Sequence, residues 1–562
     1  MVAATQHLPV AEQLKAVLAP GSELFYSAEQ HGHYLASCEG YERSGVWVVR
    51  LSGRCDDNGQ PFYLQEIPAI LALANQVHQS PQRFTLHPIS TGNNWGYGSA
   101  LAADPSAIIL DLSLLTRIRV DDADLGLFTL EPGVTQQMLR DYLDQHRLPY
   151  MVPVTGAGPS CSVLANALER GYGITPYTDH FGAVNALKAF LPDGSRYQSA
   201  ISQLDQSGQD LIDKTFKWKL GPYLDGLFTQ SGIGVVTEVT VRLKKNPPAF
   251  DSFYLQFAAD EDFESAVIIA RELLQRLEGV VGSINIMDKR RVLSMMVANP
   301  NGAAAHQIMS AEQVEALGKK HDVPAWTVIG TLYGEPEVVK AGRVIVNRLS
   351  AGKLKRKIYS NGWLVRFGKL ALSLLPGHLL QEPRKMLQSL DSGTAIMQGT
   401  PNQVALPLAF WRNATLNADP SRMMDPARDH CGLLWYAPLV HFQPASMRAF
   451  VEHVRAVAPK YGIEPMITFT SLRHDTVDST IPIVFDRSKP ELVRQATECL
   501  QTLVRQGLKQ GFVPYRLNLQ QQNELIDKAA VCWQAGNTVK QALDPYQILS
   551  PGRYSGITAK ER

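Results

Sequence analysis

At 562 residues the chain is too long for one hydrophobic core, so two or more domains are expected. A composition of 45% hydrophobic and 19% charged residues is ordinary for a soluble globular protein, and a net charge of +1 removes the electrostatic case for nucleic acid as the main partner. The six cysteines (Cys38, Cys55, Cys161, Cys431, Cys499, Cys532) show neither CxxC nor disulfide-like spacing, and no metal site is expected.

The opening MVAATQHLPVAEQL lacks the charged and apolar regions of a secretory signal, which makes a cytoplasmic enzyme the expectation. VWVVRL (46–51) then reads as a strand and QEIPAILALANQVHQ (65–79) as a helix, followed by strand-like FTLHPIS, AIILDLS (107–113) and LFTLEPG (127–133). Thr135 is placed to cap TQQMLRDYLDQH, whose Met138, Leu139, Tyr142 and Leu143 fall on one helical face. LKAFLPDGSRYQ (187–198) reads as a hairpin around Asp193-Gly194. VVTEVTVRL (235–243) puts Val235, Thr237, Val239, Val241 and Leu243 on one strand face. KKNPP (244–248) breaks the pattern and marks a domain boundary near 246.

Beyond it, DFESAVIIARELLQRLEG (262–279), PASMRAFVEHVRAVAPKYG (444–462) and PELVRQATECLQTLVRQGLKQG (490–511) read as amphipathic helices, and SINIM, WTVIGTLYG, ITFTSL and IPIVF as strands. One antiparallel sheet with helices on one face is expected. GWLVRFGKLALSLLPGHLL (362–380) is the only membrane-like stretch, but Arg366, Lys369 and Pro376 interrupt it. With KLKRK (353–357) it reads as a basic amphipathic helix, packed on its own domain or touching a membrane or partner. The last stretch, from 512, carries YRLNL, a long helix and LDPYQILSPGRYSG.

One loop carries a chemical signal. HPISTGNNWGYGSA (87–100) follows a strand; Gly92, Gly96 and Gly98 permit left-handed backbone angles, and Asn93 and Asn94 tolerate them. Such a loop is either an anion-binding nest of inward amides or a plain surface turn. Neither GxGxxG nor GxxxxGK[ST] is present.

Six segments in order, PISTGNNWGYGSA, ILDLSLLTRI, LEPGVTQQMLRDYL, NALERGYGITPYTDHFG, GPYLDGLFTQSGIGVVTEV and DPYQILSPGRYSGI, span residues 88 to 557. Together they resemble the vanillyl-alcohol oxidase and p-cresol methylhydroxylase family of FAD-linked oxidoreductases. The resemblance implies an α+β fold: a two-subdomain FAD-binding domain over 1–245, an antiparallel-sheet cap that binds substrate over 246–511, and a segment, 512–562, that returns to the FAD domain. It also implies that Ile89, Ser90, Thr91, Gly92, Asn93 and Asn94 wrap the FAD pyrophosphate and that Pro132, Gly133 and Val134 close over it. Turned amides neutralise phosphate without a lysine. By the same likeness Ser160, Asn166, Glu169, Gly171 and Gly173 line the opposite side, Gly234 and Val235 offer main-chain groups to the flavin, and Tyr97 and Arg553 also touch the cofactor.

Members of the family that oxidise para-substituted phenols hold the phenolate oxygen with two tyrosines and an arginine. Tyr97 in WGYG matches the first tyrosine, and Tyr515-Arg516 in FVPYRLNL match the adjacent pair. A guanidinium and two phenolic donors favour the anion, which pushes electrons through the ring as a benzylic hydride leaves.

Two departures stand out. The family's VPD-type acid is replaced in MVPVTGAG by Val154, which cannot move a proton. Where several members carry a histidine bonded to the flavin, HDTVDSTIPIVFDR offers Asp478 and Ser479, and Asn94 offers no linkage either. FAD is therefore expected to be non-covalent, with His87, His180 and Cys161 as the residual linkage sites. His474, Asp475 and Asp478 are read as a solvated turn rather than as a substitute base.

The expected partners are a small aromatic substrate and an electron acceptor, either oxygen or a redox protein, with a homodimer implied by the resemblance. The competing functions are oxidation of a non-phenolic natural-product alcohol and a non-catalytic flavin-binding role. The lost acid favours the latter, and the retained Tyr97, Tyr515 and Arg516 oppose it.

Overall fold

Short β-branched runs build the first half of the chain into two small sheets. In the computed structural model, which describes residues 8–28, 33–35, 37–98, 100–360 and 391–555, the first sheet runs Glu23–Ser27, Val46–Arg50, Ile108–Asp111, Leu86–Ile89, parallel except for its first pair. Helix Tyr63–Gln76 covers it, sharing one core between Ile67, Ile70 and Leu71 on the helix and Val49, Leu86 and Leu110 on the strands. The second sheet is antiparallel, with Val235–Arg242 between Leu127–Leu130 and Val184–Phe190. All of Val235 to Val241 are buried, not one alternating face, because this central strand is covered on both sides. The hairpin at Asp193-Gly194 forms, pairing Phe190 with Arg196.

Thr135 caps helix Gln136–Gln145 by accepting the Met138 amide at 3.1 Å. Leu139 and Leu143 are buried as expected, but Met138 is 43% exposed. The buried stripe instead takes Gln136 and Arg140, whose guanidinium is satisfied by Asp144 and the Tyr150 carbonyl.

The larger sheet has nine strands, all antiparallel, drawn from Ala249–Phe257 to Val513–Pro514. Helices Phe263–Arg276, Pro336–Ser350, Pro444–Val457 and Pro490–Leu508 cover one face. Three of them open on a proline at the first helical position, where its missing N–H leaves no bond unmade. Strand alternation sends Phe253, Leu255, Phe257, Trp326, Val328, Phe469, Ile481 and Ile483 into that helix-covered core. The other face is left to line a cavity.

The basic run 353–357 is not part of a helix. Arg356–Ser360 is the edge strand of the large sheet, paired with Ala249–Phe257, and Lys355 and Arg356 hold Asp322 at 2.6 and 2.7 Å. Charge on an edge strand discourages a further strand from pairing there. The stretch 362–380 lies outside the described residues. Among those described, no helix is long and apolar enough to cross a membrane.

The end of the chain comes back to the first sheet. Leu86 donates to the Ile548 carbonyl at 2.8 Å and accepts from Ser550 at 2.7 Å, and Ile548 and Leu549 join its core. Lys540, on helix Val531–Leu543, fixes this return by donating to Asp544 at 2.5 Å and to the carbonyls of Gly232 and Leu549. The ammonium is buried, and these three partners are all acceptors. The architecture is thus the α+β arrangement expected, with its C-terminal return.

Candidate active site

A cavity of about 600 Å³ lies between the open face of the nine-stranded sheet and three loops of the smaller sheets. Residues 87–95 and Tyr97 form one wall. Gly92 sits at φ +68, where a Cβ would also meet the His33 ring at 3.0 Å and Ala100 at 3.1 Å. Asn93 and Asn94 keep negative φ, so the glycines alone carry the left-handed turns of the loop. Among the described residues the amides of Thr91, Gly92, Asn93 and Asn94 have no hydrogen-bond partner. Four adjacent unpaired donors at a cavity wall are a receptor for an anion. Gly96, at φ +83, lets Trp435 of the large sheet approach and donate to the Trp95 carbonyl at 3.0 Å.

Ile89, Ser90, Thr91, Gly92, Asn93, Asn94, Pro132, Asn166, Glu169, Gly171, Gly173, Gly234 and Arg553 all line the cavity. Gly171 and Gly173 leave no room for a Cβ, being backed by Asn166 and by His180 with the Val154 carbonyl. Four expected residues do not line it. Gly133 packs on the Ser113 carbonyl, and the Val134 and Val235 side chains are fully buried in separate cores. Ser160 sits behind the loop, accepting from Asn93 at 2.9 Å.

At the other end, Tyr97, Tyr515 and Arg516 converge from segments more than 400 residues apart. The Arg516 guanidinium lies 4.8 Å from the Tyr97 ring centroid, donates from Nε to the Glu169 carbonyl at 2.9 Å, and leans toward Asn94 Oδ1 at 3.4 Å. Its Nη2 has no partner among the described residues. The Glu169 carboxylate pairs with Arg553 and lies 3.8 Å from Arg516. Burial raises the pKa of both Tyr97 and Tyr515, so each stays a phenol that donates.

Asp478 corrects the reading of its segment as a solvated turn. The turn is real for His474, which is exposed, and for Asp475, paired with Arg473 at 2.7 Å. The strand begins earlier than IPIVF, at Thr476, and its alternation turns Val477 and Ile481 to the helices and Asp478 and Thr480 to the cavity. Asp478 is 7% exposed; Oδ1 has no partner, and Oδ2 has only Thr480 at 3.5 Å. Burial pushes its pKa up to about 7, against the pull of Arg516. Ser479 faces away and donates to the Pro438 carbonyl.

Val154 lines the cavity as an apolar wall. His87 also lines it, buried, 3.1 Å from Ser550 and held neutral by burial, with its pKa lowered to about 3. Cys161 lines it as a buried thiol whose pKa burial raises. His180 is set behind Gly173, 2.5 Å from Asn166. Sequence reasoning missed the sheet's own contribution. Register aligns Tyr254, Ile329, Asn285, Thr470 and Asp478 in one row across five strands, with Met287, Thr468 and Thr480 in the next. The signal was the alternation of polar with apolar residues in SINIM and ITFTSL. Among the described residues no cluster has metal-ligand geometry.

Residues 61–199 match the FAD binding domain family. The chain is 29% identical over 504 residues to 1'-carboxy-chondrochloren decarboxylase of Chondromyces crocatus, covering 88% of this chain and 89% of that one. It is 26% identical over 507 residues to the 4-cresol dehydrogenase [hydroxylating] flavoprotein subunit of Pseudomonas putida, covering 88% and 86%. The structure of p-cresol methylhydroxylase with substrate bound superposes with a TM-score of 0.81 at 23% identity, over 100% of this chain and 98% of that one. The chain is an FAD-dependent oxidoreductase, similar in sequence and fold to members of the vanillyl-alcohol oxidase and p-cresol methylhydroxylase family. FAD is its cofactor, and the residues present fit it: unpaired amides on a glycine turn suit a pyrophosphate, and the cavity has the volume of a ligand site.

Proposed function

We propose that this chain is a cytoplasmic enzyme that oxidises a para-substituted phenol, or a closely related aromatic, by removal of a hydride from the benzylic carbon. The observation that carries the reading is the convergence of Tyr97, Tyr515, Arg516 and Asp478 at one end of the cavity whose other wall holds the unpaired amides. When bound, FAD supplies the two-electron acceptor. Arg516 directs Nη2 and its charge at the phenolic oxygen, and the two tyrosines donate to it. In a cavity this enclosed the charge acts through little water and favours the phenolate. Asp478, with a pKa near 7 and a free Oδ1, takes the phenolic proton or activates water, replacing the acid absent at Val154. Ser90 to Asn94 hold the pyrophosphate, and Glu169 keeps Arg516 and Arg553 in place.

The FAD is proposed to be non-covalent, so acid precipitation should leave the yellow colour in the supernatant. Colour that stays with the polypeptide would point to His87 or Cys161, the linkage candidates that line the cavity. The likeness to a flavoprotein subunit supports a redox protein as electron acceptor, with oxygen as the alternative. The likeness to a decarboxylase supports a second reading, in which the oxidised substrate also loses carbon dioxide.

Replacing Arg516 tests the phenolate anchor. Arg516→Ala should lower kcat/KM for free phenols on the order of a hundredfold or more, a few kcal/mol of transition-state stabilisation, with FAD content unchanged. O-Methylated analogues should react poorly with the parent and be little affected by the substitution. Parent-like flavin reduction in the variant, or equal reaction of methylated and free phenols, would give the lead to a non-phenolic alcohol.

A further inference from the structure

Arg291 is the cation in the cavity wall that this reading leaves without a task. It stands in the first turn of helix Lys289–Met296, directly after strand Asn285–Asp288, whose Asn285 and Met287 face the cavity. Its guanidinium lines the cavity and makes a single hydrogen bond, from Nη1 to Ser294 Oγ at 3.2 Å. Among the described residues no carboxylate lies within ion-pair distance of it. Asp288, its nearest acid, is already committed: Oδ1 accepts the amides of Arg291 and Ile467 at 2.9 and 3.0 Å. Burial pulls the Arg291 pKa down to about 10, with Asp288 opposing only in part. A guanidinium carries five donors, and among the described residues four of these have no acceptor. A half-buried charge with unmet donors at a cavity wall suits an anion that completes it.

Two anions could enter this cavity. The cofactor pyrophosphate has its receptor in the loop amides at 91–94, on the opposite wall from the sheet that carries Arg291. The other candidate is an acid group on the substrate. Asn285 lies two strands from Asp478 along the register, or about 10 Å at the usual strand spacing, and Arg291 lies beyond it in the chain. We propose that Arg291 binds a carboxylate on the substrate's side chain, so that the enzyme takes phenols whose para chain ends in an acid, held at both ends. This rests on the phenol reading above. The phenolic oxygen sits at Tyr97, Tyr515 and Arg516, the para chain runs under Asn285 and Met287, and the carboxylate closes on the planar fork of Arg291, which suits it for bidentate pairing.

The test uses the FAD-loaded enzyme and reads binding from the change in flavin absorbance under anaerobic conditions. The probes are 3-(4-hydroxyphenyl)propanoate, 5-(4-hydroxyphenyl)pentanoate and 7-(4-hydroxyphenyl)heptanoate, each beside its methyl ester. In the parent, at one chain length or more, the acid should bind about tenfold or more tightly than its ester. Arg291→Gln should erase that preference, leaving ester affinity and FAD content unchanged, and Arg291→Lys should keep part of it. Equal affinity of acid and ester at every length in the parent would overturn the carboxylate proposal alone. So would a preference that survives in Arg291→Gln. Loss of FAD from Arg291→Gln would assign the arginine to the cofactor instead. Failure of every ester and every acid to perturb the flavin would end the phenol reading, and this proposal with it.

Discussion

The two faces of the nine-stranded sheet are made by the same strands, yet they do opposite work. Toward the helices, Phe253, Phe257, Ile286, Trp326, Val328 and Phe469 are fully or almost fully buried and pack ring against ring, with Phe450 5.6 Å from Phe469 and Trp326 4.2 Å from Phe263. Toward the cavity, the residues between them are Tyr254, Asn285, Thr468, Thr470, Asp478 and Thr480. Of these, Asn285 Oδ1, Thr468 Oγ1 and Asp478 Oδ1 are buried without a partner. An apolar face gains from being dry, whereas unpaired polar atoms cost free energy until a ligand meets them. Packed apolar atoms thus lie on one side of the sheet and unmet polar atoms on the other, one residue apart.

Asp478→Asn should break the cavity side most severely. It keeps the shape but removes the proton acceptor, and flavin reduction by a phenol should slow by about 10²–10⁴-fold in stopped-flow measurements. In the parent the reduction rate should rise as pH passes about 7, the pKa to which burial lifts Asp478, and in the variant that limb should vanish. Stability should move the opposite way with pH. The unfolded carboxyl loses its proton near 3.8 and the folded one near 7, so the folded state binds more protons between them and stability falls as pH rises through that window. The variant should lack this fall in thermal melts of the apoprotein. Parent-like rates and pH profile in Asp478→Asn would remove Asp478 from the chemistry.

Phe469→Ala strikes the other face. It should cost about 3–5 kcal/mol in denaturant unfolding, because a fully buried ring is replaced by a cavity. Reduction rate per folded, FAD-loaded molecule should stay within severalfold of the parent. A large loss of rate at full FAD occupancy would mean that the faces are coupled rather than divided.

Thr470→Val, between Asn285 and Asp478 in the row, should change least. It exchanges a hydroxyl for a methyl of similar size on the cavity face, and stability should shift by less than about 1 kcal/mol. Its effect should appear in substrate affinity alone, and a destabilisation as large as that of Phe469→Ala would contradict the division.

The fold was largely legible because its signals are local. The periods of VVTEVTVRL and PELVRQATECLQTLVRQGLKQG name a strand and a helix, and Thr135 caps where its chemistry says it should. Met138 went astray because helical position alone does not say how far the buried stripe extends. The loop at 91–94 was legible through glycine, the one residue that takes its backbone angle freely. Asp478 was hidden for a different reason. HDTVDS reads as polar punctuation, and only the pairing of Asp478 with Thr470 on one side and Leu439 on the other shows that the strand runs through it. The alternation in SINIM and ITFTSL marks a polar face on each strand, but that Asn285 and Thr470 share a row, with Arg291 beyond it, needs the register, since nothing in the chain announces which strands will be neighbours.

The return of the chain's end has a consequence for the order of events during synthesis. His87 meets Ser550 across 463 residues, and Arg553 and the Leu86–Leu549 bridge complete the same wall. A ribosome that has made the glycine loop must therefore make nearly all the rest before that wall exists. Contacts of such separation are the slowest to form, since a very long loop must close before they repay its entropy. Completion of that wall is thus a late event in the life of the nascent chain, reached only when Lys540 locks the tail in place.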